Sequence, residues 1–311
     1  MQVSTRCTKL QKLYKISSKV LSLLAVKVFL MIVEKNIKKV KKLIENQKNS
    51  GNKICLIPTM GSLHKGHTFL IKEAIKKSEI VWLSIFVNPT QFNDLNDFKN
   101  YPKTLNKDIL KIKEISKNIF VFNPTSEEIY NNNIVSENFD FGNLDKVMEG
   151  KYRPNHFNGV ATIVTKLFEI FEPHFTFFGE KDFQQVLIIK HLITKKFPKI
   201  NLVICNTVRE KNGLAISSRN NLLNKHIYKK CGLIYDMLVY AKEHVRKKDI
   251  SKIKEYIIDK INSISSFELE YFEIRDSKFL EKIDILDKKQ KIRAFICVKV
   301  DGVRLIDNMK L

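Results

Sequence analysis

The sequence contains no apolar stretch long enough to cross a lipid bilayer, for which about 20 consecutive apolar residues are needed. The best candidate, residues 20–33, is short and is interrupted by Lys27. With 44% hydrophobic residues overall, the chain has the composition of a globular protein. We therefore expect a soluble protein with no membrane partner.

Cysteine is scarce, and its five copies are far apart in the chain. No Cys-x-x-Cys pair occurs, which argues against a zinc or redox site. Cys55, Cys205 and Cys297 lie in apolar, strand-like runs, where small buried hydrophobic residues are expected. The other two are Cys7 and Cys231. This usage predicts free thiols in a reducing compartment, the cytoplasm.

Acidic residues are absent from residues 1–33, where basic residues are spaced among serines and aliphatic residues. This pattern is typical of a transit peptide, which would direct the chain to an organelle. A start codon assigned too early, with Met31 as the true start, would leave the same pattern. Both interpretations stay open, and either makes residues 1–30 an N-terminal extension.

Basic residues exceed acidic ones, with 55 Lys and Arg against 33 Asp and Glu and a formal net charge of +22. Such an excess can indicate phosphate contacts with nucleic acid. Here the lysines are scattered along the predicted helices, and no aromatic-rich basic motif of the RNA-binding type occurs. We therefore predict no nucleic-acid partner.

Strands and helices alternate through the first two thirds of the chain. Apolar runs and helical apolar spacing predict strands at residues 54–57, 80–87, 119–122, 175–178 and 202–208, and helices at residues 34–47, 105–116, 158–171 and 184–197. The residues after the first strand, from Phe69 to Ile75, carry a further helical face. This order predicts an α/β fold with a doubly wound, mostly parallel sheet of the Rossmann type.

The pattern changes after residue 207. Helices are predicted at residues 225–246 and 251–262, followed by strands at 269–274, 292–300 and 303–306. Helices followed by antiparallel strands indicate a separate, smaller α+β domain. A chain of 311 residues also exceeds the usual limit of about 250 for a single core. We predict domains at residues 31–207 and 208–311.

Two histidines, His64 and His67, flank a glycine in the sequence Pro-Thr-Met-Gly-Ser-Leu-His-Lys-Gly-His of residues 58–67. This stretch, called the His motif below, joins a buried strand to a helix within a βαβ unit. The start of a helix presents unpaired N–H groups and the positive end of a dipole. The motif is therefore suited to bind nucleotide phosphates.

Further polar clusters follow other strands or lie where the two predicted domains meet. They read Val-Asn-Pro-Thr-Gln-Phe at residues 87–92, Phe-Gly-Glu-Lys-Asp-Phe-Gln-Gln at 178–185 and Ser-Ser-Arg-Asn at 217–220. Together with the His motif and the stretch from residue 148 to 160, they resemble the pantoate–β-alanine ligase (pantothenate synthetase) family, in order and spacing. The resemblance covers residues 31–311.

The resemblance implies a Rossmann-like fold of the nucleotidylyltransferase type and an ATP-dependent reaction in two steps. Pantoate is first adenylated, releasing pyrophosphate, and β-alanine then displaces AMP to give pantothenate. The resemblance also implies a homodimer, and ATP should be accompanied by Mg²⁺. The sequence identifies Asp108 as the nearest match to the family's magnesium-contacting acids.

The chemistry requires cations, because a carboxylate near a triphosphate meets repulsion of about 4 kcal/mol per charge pair at 4 Å and an effective dielectric near 20. We predict His64, His67, Lys181 and Arg219 as the catalytic groups. Lysine acts as a flexible point charge and arginine as a fork for phosphate oxygens. By resemblance, His67 is the candidate general acid.

The remaining assignments concern binding and are implied by the resemblance. The predicted nucleotide-binding residues are Met60, Gly61, His64, His67, Gly179, Lys181, Asp182, Val208, Ile216, Ser217, Ser218 and Arg219. The predicted pantoate and β-alanine contacts are Asn88, Gln91, Gln185 and His156; an amide such as that of Gln91 can bond both hydroxyl and carboxylate groups. The family usually has glycine where Asn155 stands, which leaves the role of His156 open.

Three other functions fit the sequence less well than the ligase. A nucleotidyltransferase would share the His motif but not Gln91, Gln185 and the loop before Val160. An RNA-binding protein that retained the fold would not need His64, His67, Lys181 and Arg219 together. A class I aminoacyl-tRNA synthetase would carry a Lys-Met-Ser-Lys-Ser loop and an anticodon-binding extension, and the sequence has neither.

Overall fold

The computed structural model describes residues 31–116, 118–283, 287 and 289–311. The predicted N-terminal extension, residues 1–30, and with it Cys7, lies outside the described residues. Within them, no helix is both long enough and apolar enough to span a membrane.

The elements alternate as the sequence predicts. The strands are β1 (Val33–Glu34), β2 (Ile54–Thr59), β3 (Ile80–Ile85), β4 (Ile119–Phe122), β5 (Phe175–Gly179), β6 (Asn201–Cys205), β7 (Phe267–Asp276), β8 (Ile292–Val300) and β9 (Val303–Lys310). The helices are α1 (Ile37–Asn49), α2 (Lys65–Ile75), α3 (Leu95–Asn100), α4 (Leu105–Ile115), α5 (Ser126–Tyr130), α6 (Met148–Tyr152), α7 (His156–Phe171), α8 (Phe183–Lys196), α9 (Lys225–Lys230), α10 (Gly232–His244) and α11 (Ile250–Asn262).

Six parallel strands form one sheet in the order β1-β4-β3-β2-β5-β6. The chain builds the sheet to one side of β2 through β3 and β4, and then to the other side through β5 and β6. The strand order therefore reverses next to β2, and in such sheets ligands bind at the carboxyl ends of the strands at this reversal. The predicted doubly wound fold is confirmed.

Apolar side chains cover both faces of this sheet. Val40 of α1 and Val186 of α8 belong to one buried cluster, and Ile71 of α2 and Ile112 of α4 to another. Trp82 of β3 has no exposed surface and packs between flanking aromatic rings of the first cluster. Because helices lie on both faces, the strands are apolar on both sides, as buried parallel strands require.

The predicted α+β domain is the antiparallel sheet β7-β8-β9 with α10 and α11. Its core is a separate apolar cluster, which supports a boundary near residue 208, although that boundary stays a prediction. The predicted helix over residues 225–246 is wrong in one respect, since it divides at Cys231 into α9 and α10. Cys231 is fully buried and continues the apolar stripe, so the periodicity does not reveal the break.

Candidate active site

A pocket of about 300 Å³ lies at the carboxyl ends of β2, β3 and β5, where the α+β domain meets the sheet. Its position next to β2 is the one that the strand order favours. Every site residue predicted from the sequence lines this pocket except Gly61 and Asp108. The lining includes Met60, His64, His67, Asn88, Gln91, His156, Gly179, Lys181, Asp182, Gln185, Val208, Ile216, Ser217, Ser218 and Arg219.

The two histidines of the His motif are bonded to the backbone of their own turn. His64 is the N-cap of α2, and its Nδ1 accepts a hydrogen bond from the amide of Gly66 at 3.1 Å. His67 Nδ1 accepts one from the amide of His64 at 3.2 Å. A side chain at Gly66 would place its Cβ 2.9 Å from the His64 ring, so a larger residue here would displace that ring.

These bonds determine where the imidazole protons are. A backbone amide can only donate, so both Nδ1 atoms are unprotonated and each neutral ring carries its proton on Nε2. Burial, followed by the charge of Lys181, lowers the pKa of His64 to about 4. Burial, followed by the charge interaction with His64, holds the pKa of His67 well below its usual value. The site therefore presents two neutral Nε2–H donors, and the general-acid role of His67 stays a prediction.

Asp108 does not fit its predicted role as a magnesium contact. The residue on α4 has no exposed surface and does not line the pocket. Its two carboxylate oxygens accept hydrogen bonds from the amides of Ser62 at 2.9 Å and Leu63 at 2.8 Å, and from the Thr104 hydroxyl at 3.1 Å. The carboxylate thus holds the His motif from its buried side and has no exposed oxygen to offer a metal.

Gly61 has a structural role in the same turn. Its φ of +79° lies in the left-handed region that favours glycine. A Cβ atom there would be 3.0 Å from the Ile85 side chain and 3.2 Å from an oxygen of Asp108. Gly61 therefore allows the carboxylate to approach the turn and does not itself face the pocket.

Gln91 is held in place by the neighbouring Asn88. It ends a 3₁₀ turn, Pro89–Gln91, that follows β3. The buried Asn88 amide donates to Gln91 Oε1 at 3.1 Å and to the Gly159 carbonyl at 3.0 Å, while the Tyr130 hydroxyl donates to Asn88 Oδ1 at 2.5 Å. Both polar atoms of Asn88 are thus used within the protein, which makes it a support for Gln91.

His156 also supports Gln91. Its Nε2 faces a guanidinium nitrogen of Arg153 at 3.2 Å, and its Nδ1 lies 2.8 Å from the Gln91 carbonyl. Arginine only donates, so Nε2 is the acceptor and Nδ1–H donates to the carbonyl. Burial, followed by the charge of Arg153, lowers the pKa of His156 to about 3. The preceding Asn155 has a φ of +65°, a conformation open to both glycine and asparagine, so the loop is retained.

Lys181 extends from a 3₁₀ turn, Glu180–Asp182, between β5 and α8. Its ammonium is 3.1 Å from Asp182 Oδ1, and its side chain is 18% exposed. The following Gln184 and Gln185 both line the pocket but differ in their contacts. Gln184 is buried and its amide donates to the Leu144 and Val147 carbonyls, whereas Gln185 is only half-buried. The sequence motif alone does not distinguish these two amides.

The predicted phosphate cluster closes the pocket from the side of the α+β domain. The amide of Ile216 donates to the Val208 carbonyl at 3.0 Å, which pairs the two ends of that segment. Ser217 caps a 3₁₀ turn, Ser218–Leu222, and accepts from the Arg219 amide. The Arg219 guanidinium forms an ion pair with Asp97 of α3 at 2.8 Å. Arg219 is therefore at the pocket and bonded to a carboxylate.

A buried ion-pair network at the same boundary was not found by sequence reasoning. Arg304 of β9 bonds the carboxylates of Glu149 and Glu270, and the Tyr271 hydroxyl donates to Glu149 at 3.0 Å. Burial would raise the pKa of Glu149, but hydrogen bonds and charge from Arg304 bring it down to about 2. Glu149, Glu270 and Cys297 lie close enough together to hold a metal ion, but the guanidinium already bonds both carboxylates.

Comparisons with known proteins agree with this site. A family model described as pantoate-beta-alanine ligase matches residues 32–310. A pantothenate synthetase of Christiangramia forsetii is 44% identical over 268 residues, covering 86% of this chain and 95% of that protein. One of Buchnera aphidicola is 42% identical over 289 residues, covering 90% and 99%.

Two solved structures share the fold. The crystal structure of pantothenate synthetase from Thermus thermophilus superposes with a TM-score of 0.82 at 29% identity, covering 90% of this chain and 99% of that one. A pantoate-beta-alanine ligase from Francisella tularensis, complexed with beta-gamma ATP and beta-alanine, gives a TM-score of 0.73 at 34% identity and covers 90% and 97%.

Proposed function

The chain belongs to the pantoate–β-alanine ligase family, and on this premise we propose how its pocket carries out the family reaction. The protein condenses pantoate with β-alanine at the expense of ATP, giving pantothenate, AMP and pyrophosphate. We propose that the reaction passes through pantoyl-adenylate. The observation that carries this proposal is the gathering of His64, His67 and Lys181 in one pocket with Gln91 and Gln185.

In the first step, a carboxylate oxygen of pantoate attacks the α-phosphorus of ATP. The bond from that phosphorus to the oxygen bridging to the β-phosphate breaks, and its electron pair leaves with pyrophosphate. We propose that Lys181, Arg219 and the Nε2–H groups of His64 and His67 donate to the phosphate oxygens. Preorganised donors of this kind stabilise charge as it develops and need no rearrangement during the reaction.

Pantoate is proposed to lie between the amides of Gln91 and Gln185. Asn88 and His156 fix the 3₁₀ turn that ends in Gln91, so the side-chain amide of Gln91 is preorganised. In the second step, the uncharged amine of β-alanine attacks the acyl carbon of the adenylate, AMP leaves with the electron pair of the broken bond, and the amine loses a proton. The contact between domains limits access of water to the adenylate.

We propose that Mg²⁺ enters with ATP. Among the described residues that line the pocket, Glu149 is paired with Arg304 and Asp307 with Arg209, and both carboxylates are buried. Asp182 is paired with Lys181 at 3.1 Å, but its side chain is 45% exposed. Asp182 is therefore the lining carboxylate that fits a magnesium complex, with phosphate oxygens and water as the other ligands. Bound Mg²⁺ spreads the charge of the triphosphate.

Two further properties belong to the proposal. A homodimer is implied by the family resemblance, and the exposed apolar side chains of Ile134 and Val135 offer a surface for it. A reducing location, the cytoplasm, is supported by Cys55, Cys205 and Cys297, which are buried and unpaired. Sedimentation of the purified protein would test the first of these.

Exchange of labelled pyrophosphate into ATP tests the adenylate. We expect exchange that requires pantoate and Mg²⁺ but not β-alanine. Exchange without pantoate, or none with it, would contradict the proposed intermediate. A nucleotidyltransferase would instead leave AMP or CMP attached to its final product.

A further inference from the structure

The turn that carries Lys181 is bonded to a side chain from the other domain. Asn308 lies on β9, and its amide nitrogen donates hydrogen bonds to the carbonyls of Lys181 at 2.7 Å and Glu180 at 2.9 Å. Asn308 is 4% exposed, so these bonds are shielded from water. The α+β domain thus contacts the backbone of a predicted catalytic residue directly.

Asn308 is itself fixed by Arg293 of β8. One guanidinium nitrogen of Arg293 donates to Asn308 Oδ1, and the other donates to Glu180 Oε1 at 2.6 Å. The guanidinium also lies over the ring of Phe183, the first residue of α8, at 3.8 Å from its centroid. Because Oδ1 must accept from arginine, the Asn308 amide is oriented with its donors toward the two carbonyls.

The turn has no side-chain cap of its own. Gly179 precedes it and offers no side chain, and Asp182, the N-cap position of α8, makes no capping hydrogen bond. The backbone around Lys181 is therefore held by bonds from Asn308 in place of a local cap. Loss of those bonds would free the turn while leaving the Lys181 side chain in the protein.

We infer that Asn308 is a positioning residue for Lys181. By holding the backbone of Lys181, Asn308 directs the Lys181 ammonium toward the phosphates of ATP. This inference rests on the proposed phosphate role of Lys181. It gives the α+β domain a part in catalysis besides covering the pocket, since a domain displacement that broke the Asn308 bonds would release Lys181. Misplacement of a binding group by about 1 Å can reduce a rate by about 10²-fold.

A double-mutant cycle on nucleotide binding tests the inference. The affinity of the folded protein for α,β-methylene-ATP is measured by calorimetry in the wild type, Asn308→Ala, Lys181→Ala and the double variant. We expect Asn308→Ala to weaken binding by about tenfold, in line with the loss of buried hydrogen bonds. In the Lys181→Ala background, the same change should alter affinity by less than about twofold, because the two residues act as a unit.

Asn308→Asp provides a second variant if the alanine variant does not fold. It keeps the volume and the acceptor for Arg293 but turns an oxygen toward the two carbonyls, so binding should again weaken. The matched control is Asn52→Asp, since the half-buried Asn52 also donates to a backbone carbonyl, that of Gln47, away from the pocket. The control should bind the nucleotide as the wild type does. In turnover assays, Asn308→Asp should raise KM for ATP more than KM for β-alanine.

The possible outcomes separate this inference from the proposed function. Full affinity in Lys181→Ala would overturn the phosphate role of Lys181, and this inference with it. Weakened binding in Lys181→Ala but wild-type affinity in Asn308→Asp would overturn the inference alone. Equal effects of Asn308→Ala in both backgrounds would show that Asn308 acts on the fold generally and not through Lys181.

Discussion

The backbone amide of His64 donates a hydrogen bond to Nδ1 of His67 at 3.2 Å, within the first turn of α2. Nδ1 of His64 is bonded in the same way to the amide of Gly66. Each ring therefore uses one nitrogen to cap the helix and leaves the other as a donor for substrate. Helix capping and phosphate recognition depend on the same two side chains.

Substitution of His64 should separate these two uses. Asparagine is a good N-cap, so His64→Asn should keep the melting temperature but lose the Nε2–H donor, and kcat should fall by about 10²-fold or more. His64→Ala should lose both the N-cap and the Nε2–H donor, so the free energy of unfolding should fall by about 1 kcal/mol and kcat should fall as well. Thermal unfolding and steady-state kinetics measure the two effects. Wild-type turnover in His64→Asn would show that the second nitrogen is not used.

The pH dependence of ATP use should contain no step from His64. Its pKa in the free protein is lowered to about 4, so the ring is already neutral at pH 6 and gains no proton as the pH falls from about 8 to 6. The profile of kcat/KM for ATP, which reports the free enzyme, should therefore run parallel in the wild type and His64→Asn. An inflection near pH 6.5 that disappears in the variant would contradict this expectation.

Substitution of Asp108 distinguishes its two possible roles. An asparagine side chain at this position would keep one acceptor but present an NH₂ group to a backbone amide, so Asp108→Asn should lower both the melting temperature and kcat. The Mg²⁺ concentration that gives half-maximal activity should not change. Glu114→Gln, at an exposed position of the same helix, is the control. A markedly increased requirement for Mg²⁺ in Asp108→Asn would restore the magnesium role.

His156 should make the fold sensitive to acid. Its pKa is about 3 in the folded protein and near 6.5 when exposed, so between these values the unfolded chain binds more protons. The free energy of unfolding therefore falls as the pH decreases through this window. The loss of melting temperature between pH 7 and pH 5 should be smaller in His156→Asn than in the wild type or in the exposed-site control His226→Asn. Equal losses would argue against a buried neutral ring.

Much of the fold follows from short-range patterns in the sequence. The strand predicted at residues 119–122 is β4, and the strand predicted at 292–300 is β8, with the same bounds. Apolar strands between amphipathic helices specify a doubly wound sheet, and that sheet brings the loops after β2, β3 and β5 to one edge. The gathering of the His motif, Gln91 and Lys181 was therefore predictable.

The supporting contacts were not predictable, because they join residues far apart in the chain. Asp108 has the residue type of a metal ligand, and only its burial beneath Leu63 shows that it holds a turn. Asn308 lies 127 residues after Lys181, in a strand whose apolar pattern does not indicate what its polar side chain contacts. Sequence patterns identify the groups that face substrate but not the partners that orient them.

The position of a labelled oxygen atom tests the central claim most directly. Pantoate carrying ¹⁸O in its carboxylate is incubated with ATP, Mg²⁺ and β-alanine, and the products are analysed by mass spectrometry. Attack of the carboxylate on the α-phosphorus predicts one ¹⁸O atom in each AMP and none in pyrophosphate. Unlabelled AMP, or label in inorganic phosphate formed together with ADP, would contradict the adenylate mechanism.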